Sequence, residues 1–190
     1  STPFPSPQQF WDAFNSGFEK LLHADQLGTF ILVLANASFD STLQKKLGGL
    51  IRSQFESLYN RYEQQLIGGE AIQESDEDLL VFFKIATVGL DRIQNSQHRS
   101  EQPWEVQFNQ LRAFRPRRIS TTTTDDIALP FNADGFHFNH RFMEKEAFWS
   151  GLLEEKSVDL YYNKYPFTHG HGLLVPERLL ENPQLLTEEY

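Results

Sequence analysis

The chain has 190 residues, 39% of them apolar and 14% aromatic, and carries a formal charge of −9. That composition describes a folded protein long enough to bury a core, and its acidic balance argues against a general binder of nucleic acid or anionic membrane. Cysteine is absent, which excludes disulfides, thiolate metal sites and a cysteine nucleophile and fits a reducing, cytoplasmic setting, while no apolar run is long enough to span a bilayer.

A proline-rich arm, residues 1–8, opens the chain. From Pro7 to Asp25, the residues Phe10, Trp11, Phe14, Phe18, Leu21 and Leu22 recur at three- and four-residue steps, which predicts a helix with one buried face. Leu27 to Ala37 is a compact apolar run that suits a helix or a buried strand equally. Asp40 or Ser41 then starts a helix whose stripe Leu43, Leu47, Leu50, Ile51, Phe55, Leu58 and Tyr62 runs to a stop at Gly68-Gly69. Ser75 followed by Asp76-Glu77-Asp78 is a hydroxyl cap with acids at the positive end of a helix dipole, and the helix is expected from Leu79 to Ile93. Polar residues 95–102 read as a linker. The chain is therefore divided into a helical region, 1–98, and a strand-rich region, 99–190.

Trp104-Glu105-Val106-Gln107-Phe108 alternates strictly, so Trp104, Val106 and Phe108 share one face of a strand. Arg112, Arg115, Arg117 and Arg118 put four positive charges into seven residues without an acid among them. Guanidinium forks match phosphate geometry, so the cluster is a candidate anion site; a surface loop neutralised by nearby acids explains it as well. His137 and Asn139 alternate with Phe136 and Phe138 like a strand with one wet face. Phe148-Trp149 leads through a turn at Gly151 into a strand ending at Tyr162, and Leu173-Leu174-Val175 makes a second strand closed by Pro176. Between those strands lie Asn163, Lys164, His169 and His171. On an extended segment His169 and His171 would share a face and could meet a metal, with His137 and His140 as further ligands, but no spacing here resembles a zinc frame, and neither a metal nor a cofactor is assigned. Leu179 opens a last helix near Asn182-Pro183. No phosphate loop of Walker or Rossmann type and no serine-hydrolase elbow is present.

Asn163, His171 eight positions later and the strand Leu173-Leu174-Val175-Pro176 resemble the middle of the histidine-triad (HIT) nucleotide-binding fold. Gln107, Asn109, Arg112 and Arg115-Pro116, then Pro130-Phe131-Asn132 with Phe136 and Phe138, resemble the nucleotide phosphorylase branch of that superfamily, the GDP-hexose phosphorylases in particular. Asn163-Lys164-Tyr165-Pro166 is similar to an element of the diadenosine tetraphosphate phosphorylases. The resemblance covers roughly Trp104 to Tyr190. It implies an α+β fold: an N-terminal helical portion, then a mostly antiparallel, HIT-like sheet begun by Trp104–Phe108, continued by the strands flanking His171 and incomplete at the C-terminus. It also implies a nucleotidyltransferase or phosphorylase acting on a nucleoside diphosphate sugar or dinucleoside polyphosphate, with orthophosphate as acceptor of a nucleotidyl-histidine.

By the same resemblance, Asn163 would face the ribose, with Lys164 and His171 beside the nucleotide. Phe108 and Leu174 would wall the pocket, and Arg112, Arg115 and Arg118 would hold phosphates. The family's His-x-His-x-(His/Gln) strand does not follow His171, so no nucleophile is assigned. The chain is read as the front part of such a fold: a fragment, a subunit completed by a second chain, or a relative without the chemistry. The competing expectation is a non-enzymatic binding or assembly protein that uses its aromatic-rich helical half as a docking surface.

Overall fold

A computed structural model describes residues 4–116 and 130–183. Helices come first: α1 (Pro7–His23), α2 (Leu27–Ala37), α3 (Ser41–Ile67) and α4 (Asp76–Val88). They are followed by β1 (Gln97–Glu101), β2 (Trp104–Phe108), the single-turn α5 (Gln110–Phe114), β3 (Ala147–Leu153), β4 (Lys156–Tyr162) and β5 (Gly172–Pro176). The chain forms two compact units that are not consecutive in sequence: Phe14–Pro116 with Asn163–His171, and Ser1–Ala13 with Arg117–Tyr162 and Gly172–Tyr190.

In the helical unit α2 is the axis. All its residues except Gly28 are buried, so the ambiguous apolar run is a helix, and its uniform apolarity reflects burial all round rather than on one face. Its polar exceptions are satisfied locally: Thr29 Oγ1 donates to Gln26 O at 3.0 Å and Asn36 Nδ2 donates to Leu32 O at 2.8 Å. Phe82 of α4 gathers the surrounding aromatics, with ring centroids of Tyr62 at 5.3 Å, Phe55 at 5.4 Å and Phe30 at 6.2 Å. Burying each such ring contributes about 2–3 kcal/mol. The caps form where the sequence placed them. Asp40 Oδ1 accepts from Thr42 N and Leu43 N at the start of α3, and Ser75 Oγ accepts from Asp78 N at the start of α4. However, α4 ends at Val88 and not at Ile93, because Gly89 takes φ +94°, a backbone conformation that breaks the helix.

The expected linker is instead half of a hairpin. β1 pairs antiparallel with β2 from Gln97↔Phe108 to Glu101↔Trp104, and residue 98 lies inside β1. Every residue of both strands is exposed, Trp104 by 74% and Phe108 by 49%. Strict alternation produced the strand, but it did not produce a buried face within this unit.

The other unit holds the antiparallel sheet β3-β4-β5. Among the described residues the single continuous sheet expected from Trp104 onward is not formed: β1 pairs only with β2, and β3, β4 and β5 make a three-stranded sheet. β4 is central. Its neighbours Tyr161 and Tyr162 point to opposite faces and both are buried, Tyr161 against Phe138 at 4.9 Å and Tyr162 against Phe148 at 4.9 Å. The β3–β4 turn falls at Glu154-Glu155, with Gly151 inside the strand. Residues 136–140 form turns rather than a strand; residues 178–180 make one 3₁₀ turn, and the rest of the helix expected from Leu179 onward falls largely outside the described residues. Pro176 ends β5 as expected, opposite Val158.

Candidate functional site

The β4–β5 connection, Asn163–His171, belongs to the helical unit. Its shape begins with Asn163, whose Oδ1 accepts from Tyr165 N at 2.9 Å in an Asx turn. Asn163 N donates to His171 O and His171 N donates to Thr168 O, each at 3.3 Å. Gly170 at φ +72° makes the reversal between them. The loop thereby closes on itself, and Asn163 Nδ2 lies 3.4 Å from His171 Nε2.

Four groups of the helical unit pin this loop. Asn36, 3% exposed, donates from Nδ2 to Asn163 O at 3.0 Å. Asp78 in the first turn of α4 pairs with Lys164 at 2.5 Å. Arg112 on α5 donates from Nη1 to Tyr165 O at 2.7 Å and to Pro166 O at 3.4 Å. Arg115 lies 4.8 Å above the ring of Tyr165, itself only 5% exposed. α5 is in turn fixed by Asn109, whose Oδ1 caps Arg112 N at 3.0 Å and whose Nδ2 donates to Ser38 Oγ at 2.8 Å.

The cations picked out in the sequence have different fates. Lys164 is neutralised by Asp78, and Arg115 by Glu77 at 3.0 Å. Neither acid was singled out for such a role; both had been accounted for by helix capping. No local signal paired them, because Glu77 and Asp78 stand 38 and 86 residues away from their partners along the chain. Arg112 differs. Among the described residues its partners are neutral carbonyls and the ring of Phe167, 4.0 Å from its guanidinium carbon. Burial, and then the charge of Arg115, pull its guanidinium below its ordinary pKa, and among the described residues no carboxylate pairs with it.

Phe167 also stacks on His171, with centroids 5.1 Å apart and planes 19° from parallel. Phe167 N donates to His171 Nδ1 at 3.0 Å. Burial first and Arg112 second hold the His171 imidazole below its ordinary pKa, so it is neutral at pH 7. Asn163, His171, Phe167 and Arg112 thus form one cluster: an amide, a neutral imidazole, a half-exposed ring and an uncancelled cation.

Other candidates fall elsewhere. Phe108 stands on the exposed hairpin strand, and Leu174, 56% exposed, stands on β5 in the other unit; neither is enclosed by its own unit as a pocket wall would be. Arg118 lies outside the described residues. His169 turns away from His171 toward Asp40, with Nε2 3.5 Å from Oδ2, because the segment is a turn and not extended. His137 and His140 stack at 3.8 Å and face the carbonyls of Ala133 and Gly135. Among the described residues no three His, Asp or Glu side chains converge as metal ligands. Asn139, expected on a wet strand face, exchanges hydrogen bonds with Arg178.

A second surface of the helical unit is apolar. Tyr59, Leu66, Ile67, Phe82 and Phe83 line an open groove of about 470 Å³ between the C-terminal half of α3 and α4. Ile67 is 74% exposed at its rim. Tyr62 OH donates to Glu74 Oε1 at 3.0 Å beside it, and burial holds the Tyr62 phenol well above its usual pKa range. No helix among the described residues is long and apolar enough to cross a membrane. Compared with family models, with curated proteins and with solved structures, the chain matches none.

Proposed function

We propose that this chain is a nucleotide-binding protein of the nucleotidyltransferase or phosphorylase type, taking a nucleoside diphosphate sugar or dinucleoside polyphosphate at the 163–171 loop and α5. The observation that carries the reading is the convergence of Asn163 and His171, 3.4 Å apart, beside Arg112 and Phe167. Phe167, 59% exposed with Arg112 and His171 against its ring, offers apolar contact to a base, and Arg112 offers a guanidinium to a phosphate. Lys164 and Arg115, expected to contact the ligand, are read as struts because Asp78 and Glu77 already neutralise them. Calorimetric titration with GDP and with a dinucleoside tetraphosphate tests this. Binding that weakens about tenfold in Phe167→Ala, equivalent to about 1.4 kcal/mol, is expected. Saturation by neither ligand would overturn the reading.

A different observation favours a docking function. The α3–α4 groove leaves Tyr59, Leu66, Ile67 and Phe83 exposed, and residues 59–87 hold Glu63, Glu70, Glu74 and Asp76 besides the two acids that pair with Arg115 and Lys164, against two bases. An apolar helical segment with basic flanks is the occupant that fits. A Leu/Phe amphipathic peptide flanked by lysines should bind wild type saturably and fail on Phe83→Glu. Equal binding of a glutamate-flanked peptide would remove this reading.

A further inference from the structure

We infer that His171 and Asn163 form a two-donor site for a phosphate oxygen, with the imidazole fixed as its Nε2–H tautomer. This rests on the nucleotide reading and deepens it, by moving Asn163 from the ribose to the phosphate.

The tautomer follows from hydrogen-bond accounting. A neutral imidazole carries one N–H and one acceptor nitrogen. Phe167 N–H points at Nδ1 from 3.0 Å, so Nδ1 is the acceptor and Nε2 carries the proton. The group 3.4 Å from Nε2 is the Asn163 amide. Its orientation is settled by Tyr165 N–H, which donates to Oδ1 at 2.9 Å and leaves the NH₂ end toward His171. Two donors therefore face each other, and among the described residues Nε2–H has no acceptor. Such an arrangement is mildly unfavourable unless an acceptor oxygen sits within reach of both hydrogens. An anionic oxygen fits best, because the Arg112 charge acts on His171 and, among the described residues, no carboxylate pairs with either side chain. The same accounting excludes His171 as a nucleophile in this conformation. Nδ1 has its lone pair engaged, and Nε2 has none to offer.

Three measurements test the site on the protein as it stands. Long-range ¹⁵N–¹H NMR of the wild type at pH 7 should show the His171 proton on Nε2; a proton on Nδ1 would overturn the assignment. Inorganic pyrophosphate should shift both His171 Nε2 and the Asn163 side-chain amide, whereas guanosine alone should shift neither. The reverse pattern would return Asn163 to the ribose. Asn163→Asp keeps the acceptor for Tyr165 N but replaces the NH₂ with a carboxylate oxygen. It should weaken pyrophosphate and GDP about tenfold or more and raise the His171 pKa by pairing with it. Unchanged affinity for GDP in Asn163→Asp would sink the two-donor site while leaving the nucleotide reading standing. Binding of pyrophosphate without any binding of GDP would do the opposite. Should Asn163→Asp fail to fold by circular dichroism, the two wild-type measurements decide.

Discussion

Lys164 Nζ lies 2.5 Å from Asp78 Oδ1, closing a span of 86 residues between the β4–β5 loop and the first turn of α4. Asp78 also donates its backbone N–H to the Ser75 cap, so one residue both opens a helix and anchors the candidate site. The side chain of Asp78 is 11% exposed and that of Lys164 29%, so the pair is screened far less than a surface ion pair. Asp78→Asn should cost about 1–3 kcal/mol in urea denaturation, since it leaves the Lys164 charge half-buried without its partner. A loss under about 0.3 kcal/mol would show the pair to be ornamental.

Asn36 is the loop's second anchor. Asn36→Leu preserves bulk in α2 but strands the Asn163 carbonyl that Asn36 Nδ2 serves at 3.0 Å. Destabilisation of about 1–3 kcal/mol is expected, with faster hydrogen exchange in residues 163–171 than in α1. Exchange that speeds up uniformly across the helical unit would place Asn36 in the core alone and not in the loop's support.

Asn109 holds α5 by both ends of its amide. Asn109→Ala removes the cap on Arg112 N and the donor to Ser38, and about 1–2 kcal/mol should be lost. Asn109→Asp keeps the capping oxygen and should lose less. Equal losses in the two variants would assign the whole effect to the Ser38 contact.

Phe82 meets Phe30, Phe55 and Tyr62 and is fully buried, so Phe82→Ala should cost about 3–5 kcal/mol by thermal or chemical melting. The exposed Trp104 is the control. Trp104→Ala should change stability by less than about 0.5 kcal/mol.

His171 predicts a pH dependence of defined sign. Its folded pKa lies below its ordinary value, so below about pH 6.5 the unfolded chain takes up a proton that the folded chain refuses. The stability tied to neutral His171 is thus complete above about pH 6.5 and falls as pH drops toward the folded pKa. Wild type should lose its advantage over His171→Gln between pH 7.5 and 5.5. A gap that widens on acidification would mean that the imidazole is charged in the fold.

Local signals in the sequence determined the helices of this protein and their starts: periodicity gave α1 and α3, and the side-chain oxygens of Asp40 and Ser75 cap α3 and α4 as their spacing required. The same local logic placed Asn163 and His171 together, because an Asx turn and a positive-φ glycine need only nine consecutive residues to close. Tertiary structure alone decided what could not be local. Alternation in Trp104–Phe108 specified a strand but not whether its face would be covered. Uniform apolarity in α2 specified burial but not helix over strand. The state of each cation depended on acids far off in sequence, since Asp78 and Glu77 neutralise Lys164 and Arg115 only because folding brings α4 to the loop and α5. Coulomb attraction acts over a few ångströms of space whatever the chain separation, so charge partners become legible only once the chain has folded.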